Sequence, residues 1–198
     1  MKTVTTQMEL AGSRLEVATS ALDDADGMIW RYYAGIQLKG GTIFLNANGS
    51  RPENARLFLV TTADEAYEVQ VEVTVSSGGV GGLILYYHEK AFAGLTSDGK
   101  EFTLYRDATL ATREPNRFGD RCFLKIVNGQ NRCAFLASAD SQTWTSLLTD
   151  VDVSGLSPDG FWGFLALRPG LMAAGGGEVK FERFVYKIQA PILVSAKQ

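Results

Sequence analysis

The stretch Gly81-Gly82-Leu83-Ile84-Leu85-Tyr86-Tyr87-His88-Glu89-Lys90 decides the fold class. An apolar and aromatic run with no helical period, bounded by glycines, reads as a buried central β-strand. Its alternate faces are Leu83, Leu85, Tyr87 and Ile84, Tyr86, His88. One face is apolar apart from a phenol, and the other ends in the chain's single histidine. This predicts Leu83, Leu85 and Tyr87 in a core, with Tyr86 and His88 sharing a semi-polar groove. A strand buried on both sides is the competing reading.

Outward from this run, turn signals recur at Asp26-Gly27, Gly40-Gly41, Asn48-Gly49, Ser77-Gly78-Gly79, Asp98-Gly99, Asn128-Gly129, Asp159-Gly160 and Gly175-Gly176-Gly177. Between them lie short segments rich in β-branched and aromatic residues, the spacing of a sandwich or barrel. Glu68–Val75 alternates strictly, with Val69, Val71, Val73 and Val75 on a core face. Glu68, Gln70, Glu72 and Thr74 then fall on a solvated one, where the two glutamates read as solubility charges. Met8–Leu22 admits either a short helix or an irregular pair of strands. About a dozen strands and no long helix predict an all-β, two-sheet antiparallel jelly-roll sandwich. Phe161–Arg168 is expected to be one of these strands, followed by a loop over Arg168–Gly177. Trp144 is expected to plug the core.

The chain has 198 residues, a net charge of −3, 45% hydrophobic and 21% charged residues, as ordinary globular domains do. With no basic patch or arginine cluster in the sequence, neither nucleic acid nor an anionic membrane is an expected partner. No apolar run approaches the ~20 residues that span a bilayer. The N-terminus lacks the apolar core of a signal peptide, so the chain is expected to be cytoplasmic or an excised mature segment of a secreted protein.

Cys122 and Cys133 flank a hairpin expected to turn at Asn128–Asn131, pairing Leu124 with Phe135 and Ile126 with Cys133. Cys122 then faces Ala137, about 13 Å along the strand from Cys133. A disulfide needs Cα atoms within about 7 Å, so both thiols are expected to be reduced core groups. With one histidine and two core cysteines, neither a zinc site nor a cysteine nucleophile can be assembled. A catalytic carboxylate pair needs two acids facing each other across a groove. Glu89, Glu178 and Glu182 are the remaining acids, and Glu89 with Glu182 or Glu178 is the pair to measure.

Four segments in order resemble the concanavalin A-like domain at the C-terminus of glycoside hydrolase family 43 β-xylosidases and arabinofuranosidases. They are Gly82–Leu95, Trp30–Tyr33 with Gly41–Leu45, Phe123–Val127 with Ser138–Trp144, and Gly163–Gly170 with Val179–Tyr186. The resemblance covers roughly residues 25–188. It implies an N-terminal extension (1–24), a sandwich domain (25–188) and a C-terminal tail (189–198). It also implies a carbohydrate context and a partner: the family's catalytic acids lie in a five-bladed catalytic domain with no counterpart in this sequence.

The expected function is therefore a non-catalytic accessory module for plant-wall glycans such as xylan or arabinoxylan, binding oligo- or polysaccharide or docking on a catalytic domain. A stand-alone glycoside hydrolase or lyase and a structural or oligomerisation module are the alternatives. Sugar rings pack on aromatic planes and their hydroxyls pair with planar polar groups. Trp30, Tyr32, Tyr86, His88, Glu89, Trp162 and Arg168 are thus the candidate carbohydrate-binding residues, and Phe161 or Trp162 the candidate docking residues. For each a structural role is the alternative: core packing for Trp162, a satisfied ring for His88, loop anchoring for Arg168. No cofactor is expected. A structural calcium ion would draw on carboxylates, but Asp23, Asp24 and Asp26 lack the spacing of an encircling loop.

Overall fold

Gly79–His88 is one ten-residue strand, and two layers are built around it. The structure, a computed structural model, describes residues 5–11, 14–17, 36–39, 42–60, 62, 64–156 and 167–189, the side chains of 5–11, 14–17 and 37–39 excepted. Fifteen strands are described: β1 (Thr5–Ala11), β2 (Arg14–Val17), β3 (Ile36–Lys39), β4 (Thr42–Asn46), β5 (Arg56–Leu59), β6 (Ala66–Val75), β7 (Gly79–His88), β8 (Ala91–Ser97), β9 (Glu101–Arg106), β10 (Thr109–Pro115), β11 (Arg121–Gly129), β12 (Arg132–Ser138), β13 (Thr145–Asp152), β14 (Arg168–Gly175) and β15 (Glu178–Ile188). Helical structure among the described residues amounts to 3-10 turns at Pro52–Asn54 and Ser154–Leu156. Met8–Leu22, ambiguous in sequence, contributes to the β1–β2 pair.

The strands form two antiparallel sheets. One has six strands in the order β10-β9-β8-β7-β14-β5; the other has nine, along β13-β12-β11-β6-β15. The far edge of β15 is shared, with β4 pairing residues 178–181 and β1 pairing residues 185–187. The valines of β6, Leu83, Leu85, Tyr87, Leu124, Ile126, Phe135 and Phe181 fill the core between the sheets. The sheets approach closely at Gly81, where a Cβ would fall 2.5 Å from Val179 and 2.7 Å from Val73. That contact is the reason for glycine inside a strand.

The six-stranded sheet is buried on its outer face as well. Leu57, Leu59, Ile84, Tyr86, Phe92, Met172 and Ala174 make a second apolar cluster there. The near-continuous apolar reading of β7 thus reflects burial on both sides.

Two expectations are corrected by backbone geometry. The β11–β12 hairpin pairs Ile126 with Phe135 and Leu124 with Ala137, two residues out of the expected register. Its loop is Gln130-Asn131, at φ 53° and 69°, the left-handed pair of a two-residue hairpin turn. Both cysteines are nonetheless free and buried, and burial pushes each thiol up to about 12. The second correction concerns Arg168–Gly175, which is strand β14, paired with both β7 and β5, and not a loop. Pro169-Gly170 resembles a turn signal, but Pro169 stands at the strand's start, where a missing N–H is tolerated. Its carbonyl accepts from Val60 N–H at 2.8 Å. Gly170 answers a close approach, since a Cβ there would lie 2.2 Å from the Phe58 carbonyl oxygen.

Candidate functional site

Tyr86, His88, Glu89 and Arg168 come together at one end of the six-stranded sheet. Trp30, Tyr32, Phe161 and Trp162, the acidic cluster Asp23, Asp24 and Asp26, and most of the strand expected at Phe161–Arg168 lie outside the described residues.

Tyr86 and Arg168 are direct cross-strand partners, so their side chains leave the sheet on the same face. Tyr86 belongs to the outer cluster, with its ring 6.4 Å from Phe92. The Arg168 guanidinium stands 5.8 Å from the Tyr86 ring centroid. The expectation that His88 shares this face is corrected by a register shift. Tyr86 pairs with Phe92, but His88 pairs with Ala91, leaving Tyr87 as the extra residue. Such a bulge breaks alternation. Ala91 and Tyr87 both belong to the inter-sheet core, and the His88 ring lies 5.3 Å from that of Tyr87. Adjacent residues of a regular strand would point apart. His88 therefore sits at the mouth of the core, half-buried, with Nδ1 accepting the Lys90 N–H at 3.1 Å. Glu89 and Lys90 are the exposed tip of the β7–β8 turn.

The bulge takes the Tyr87 carbonyl out of regular pairing, and Arg168 Nη2 donates to it at 2.9 Å. Arg168 is 6% exposed. It anchors a carbonyl, as the structural alternative supposed, but on β7 rather than in a loop.

The three remaining acids are divided between the two sheets. Glu89 is in the β7–β8 turn at the end of the six-stranded sheet, whereas Glu178 and Glu182 lie on β15 of the other. Glu182 is on that sheet's outer face, opposite Glu72. Reading Glu68 and Glu72 as solvated charges is likewise corrected. Glu72 is 1% exposed, hydrogen-bonded to Arg121 Nε and 3.4 Å from Arg183 Nε. Glu68 lies 3.1 Å from Lys125 and 3.6 Å from Lys187. A central strand of a nine-stranded sheet has long cations on both sides, and they cover its acids. Glu72 also raises the pKa of the Arg121 guanidinium, and Lys180 lowers that of the Glu182 carboxyl.

Trp144, expected in the core, is half-buried beside Lys125, whose ammonium is 4.1 Å from its ring centroid. Lys125 projects from β11 opposite to core residues Leu124 and Ile126, so Trp144 is on the outer face. Its turn is fixed by Asp140 Oδ1, which accepts from the Gln142 and Thr143 N–H groups. The sequence signal for this cluster was the placement of Arg121, Lys125 and Glu182 at outward positions flanking the valine strand. A separate cleft of about 400 Å3, lined by Ser76–Val80, Asp98, Lys100 and Asp120, contains none of the candidate binding or docking residues. No helix among the described residues is long and apolar enough to cross a membrane.

Residues 36–187 match the family described as "Beta xylosidase C-terminal Concanavalin A-like domain". No curated protein matches the chain. Among solved structures, one titled "Bacteroides ovatus Xyloglucan PUL GH43B" superposes with a TM-score of 0.65 at 13% identity, over 79% of this chain and 35% of that one. The GH43 protein BlXynB from Bacillus licheniformis gives 0.63 at 18%, with the same coverage. A functionally unknown protein from Saccharomyces cerevisiae gives 0.57 at 15%, over 78% of this chain and 92% of that one. At these identities the superpositions establish the fold, and the chain spans about a third of the length of the first two.

Proposed function

The chain belongs to the family of concanavalin A-like C-terminal domains of β-xylosidases, and from that premise we propose that it is a non-catalytic accessory module that docks on a family 43 catalytic domain. Its plant-wall glycan would be of the xylan or arabinoxylan type. The observation that carries this reading is the end of the six-stranded sheet around the β7 bulge. Tyr86 and Arg168 are buried there against one another and against the outer cluster, so the Tyr86 ring is a wall and not an open platform. Among the described residues of β7 and the β7–β8 turn, His88, Glu89 and Lys90 stand out at the rim, a small polar edge suited to completing the mouth of a neighbouring site. Phe161 and Trp162, seven and six residues before Arg168 in the chain, are the proposed docking residues, and Trp30, Tyr32 and Trp162 the proposed aromatic contacts to sugar.

Mixing the chain with a family 43 catalytic domain stripped of its own sandwich tests this. A complex on size exclusion, weakened by Trp162→Ala or by His88→Ala with Glu89→Ala, is the expected result. No complex, together with retention of the chain on a xylan or arabinan affinity gel, would favour an independent binding module. Loss of gel retention in Trp162→Ala would assign that binding to the proposed aromatic contacts.

A further inference from the structure

The outer face of the nine-stranded sheet carries a charge arrangement that packing does not demand. Glu72, almost fully buried, uses one carboxylate oxygen for Arg121 Nε. Its other oxygen accepts no hydrogen bond and lies 3.4 Å from Arg183 Nε. The two arginine side chains are 62% and 64% exposed. Each turns its Nε edge toward the same buried acid. Their Nη groups have no hydrogen-bond partner among the described residues.

Arg183 reaches this position through the β15 bulge between Glu182 and Val185, at φ 51°. That left-handed conformation is uncommon for any residue but glycine, asparagine or aspartate, yet an arginine holds it, with its guanidinium 5.7 Å from the Phe123 ring centroid.

Among the described residues the local charges do not balance. Glu182 is paired with Lys180 at 2.9 Å, so Arg121, Arg183 and Lys180 face two acids, Glu72 and Glu182. The pattern repeats along β6, where Glu68 alone lies between Lys125 and Lys187. Among the described residues each cluster has one cation in excess, in a chain whose net charge is −3. Glu68 and Glu72 are four residues apart, about 13 Å along a strand. Trp144 stands beside Lys125, whose ammonium also reaches Glu68.

We propose that this face binds an acidic glycan. A uronate carboxylate is received by the paired guanidiniums of Arg121 and Arg183, and a neighbouring sugar ring packs on Trp144. The arginine fork matches a planar carboxylate bidentately. The buried Glu72 holds both forks in place beforehand, which reduces the ordering cost of binding. A half-exposed tryptophan with flanking cations suits a polar ring that carries charge. A protein partner would call for an apolar centre, and Phe123, the aromatic between the two arginines, is buried. This site lies on the opposite sheet from Tyr86 and Arg168, so it stands or falls separately from the docking reading.

The test is titration calorimetry of the whole chain with polygalacturonate and with the same polymer after its carboxyl groups are reduced to alcohols. The expected result is binding to the acidic polymer only, weakened by salt, and at least tenfold weaker in Arg121→Gln/Arg183→Gln. Trp144→Ala weakens it further without restoring affinity for the reduced polymer. Thermal melts confirm that the variants fold, and the reduced-polymer arm is decisive on wild-type protein alone. No binding, equal binding to both polymers, or unchanged affinity in the folded double variant overturns the proposal. It is overturned equally if the double variant loses its complex with a catalytic domain while wild type ignores the polymer, which would make this face a protein interface.

Discussion

Replacing Arg168 by methionine removes the anchor of the β7 bulge while keeping an unbranched side chain of similar reach. The guanidinium donates to the Tyr87 carbonyl at 2.9 Å and stands 5.8 Å from the Tyr86 ring, in a site 6% exposed. A hydrogen bond from a charged donor contributes about 1.5–3 kcal/mol, and a cation–π contact near the outer limit of its range about 1 kcal/mol. Methionine needs no desolvation of a cation, which offsets part of this loss. The net expectation is about 2 kcal/mol of destabilisation. For a chain of this length each kcal/mol shifts Tm by about 2–4 °C, so circular dichroism should record a fall of about 4–8 °C. Amide exchange should accelerate at Lys90, whose N–H bonds to His88 Nδ1 within the same turn. Arg168→Lys keeps the charge but not the fork and should recover only part of the loss. If Arg168→Met melts within about 1 °C of wild type, or above it, the guanidinium does not hold the bulge.

Three further outcomes follow from the same geometry. With both thiols pushed up to about 12 by burial, roughly one in ten thousand is thiolate at pH 8. Ellman's reagent should therefore label neither cysteine in the native protein and both in denaturant. Gly170→Ala sets a Cβ 2.2 Å from the Phe58 carbonyl oxygen and should cost about 1–3 kcal/mol in urea unfolding. Gly78→Ala meets nothing within 4 Å and should cost only the left-handed penalty of about 1 kcal/mol. Asp140 is held below the usual carboxylate range by the Thr143 and Gln142 N–H groups, and Glu182 by Lys180. Both bind protons more weakly folded than unfolded, so their contribution is complete above the unfolded pKa near 4 and is lost as pH falls through the folded values. Melts from pH 6 to pH 2 should hold level and then decline below about pH 4, with a shallower decline in Asp140→Asn.

The valines of β6 and the core face of β7 were legible because period-two alternation is a property of a single strand, whereas the apolar cover over Tyr86 on the other face of β7 was not. The charged face was not legible. Glu72 reads as a surface acid until Arg121 and Arg183 are brought to it from β11 and from a bulge in β15. Trp144 reads as core for the same reason, since its position depends on Lys125 of a different strand. His88 was assigned to Tyr86's face by counting residues, and a single bulge reverses that count.

The sequence alone carried the two-layer β architecture, the core faces of β6 and β7, the reduced state of both cysteines and the resemblance to the family. Each of these rests on local patterning or on turn chemistry. Only the tertiary structure decided the register of the β11–β12 hairpin, the strand character of Arg168–Gly175, the side of the sheet on which His88 lies and the cover over Glu72. Those depend on which strands become neighbours, and one bulge or a shift of register changes a side chain's surroundings without changing the pattern that encodes the strand.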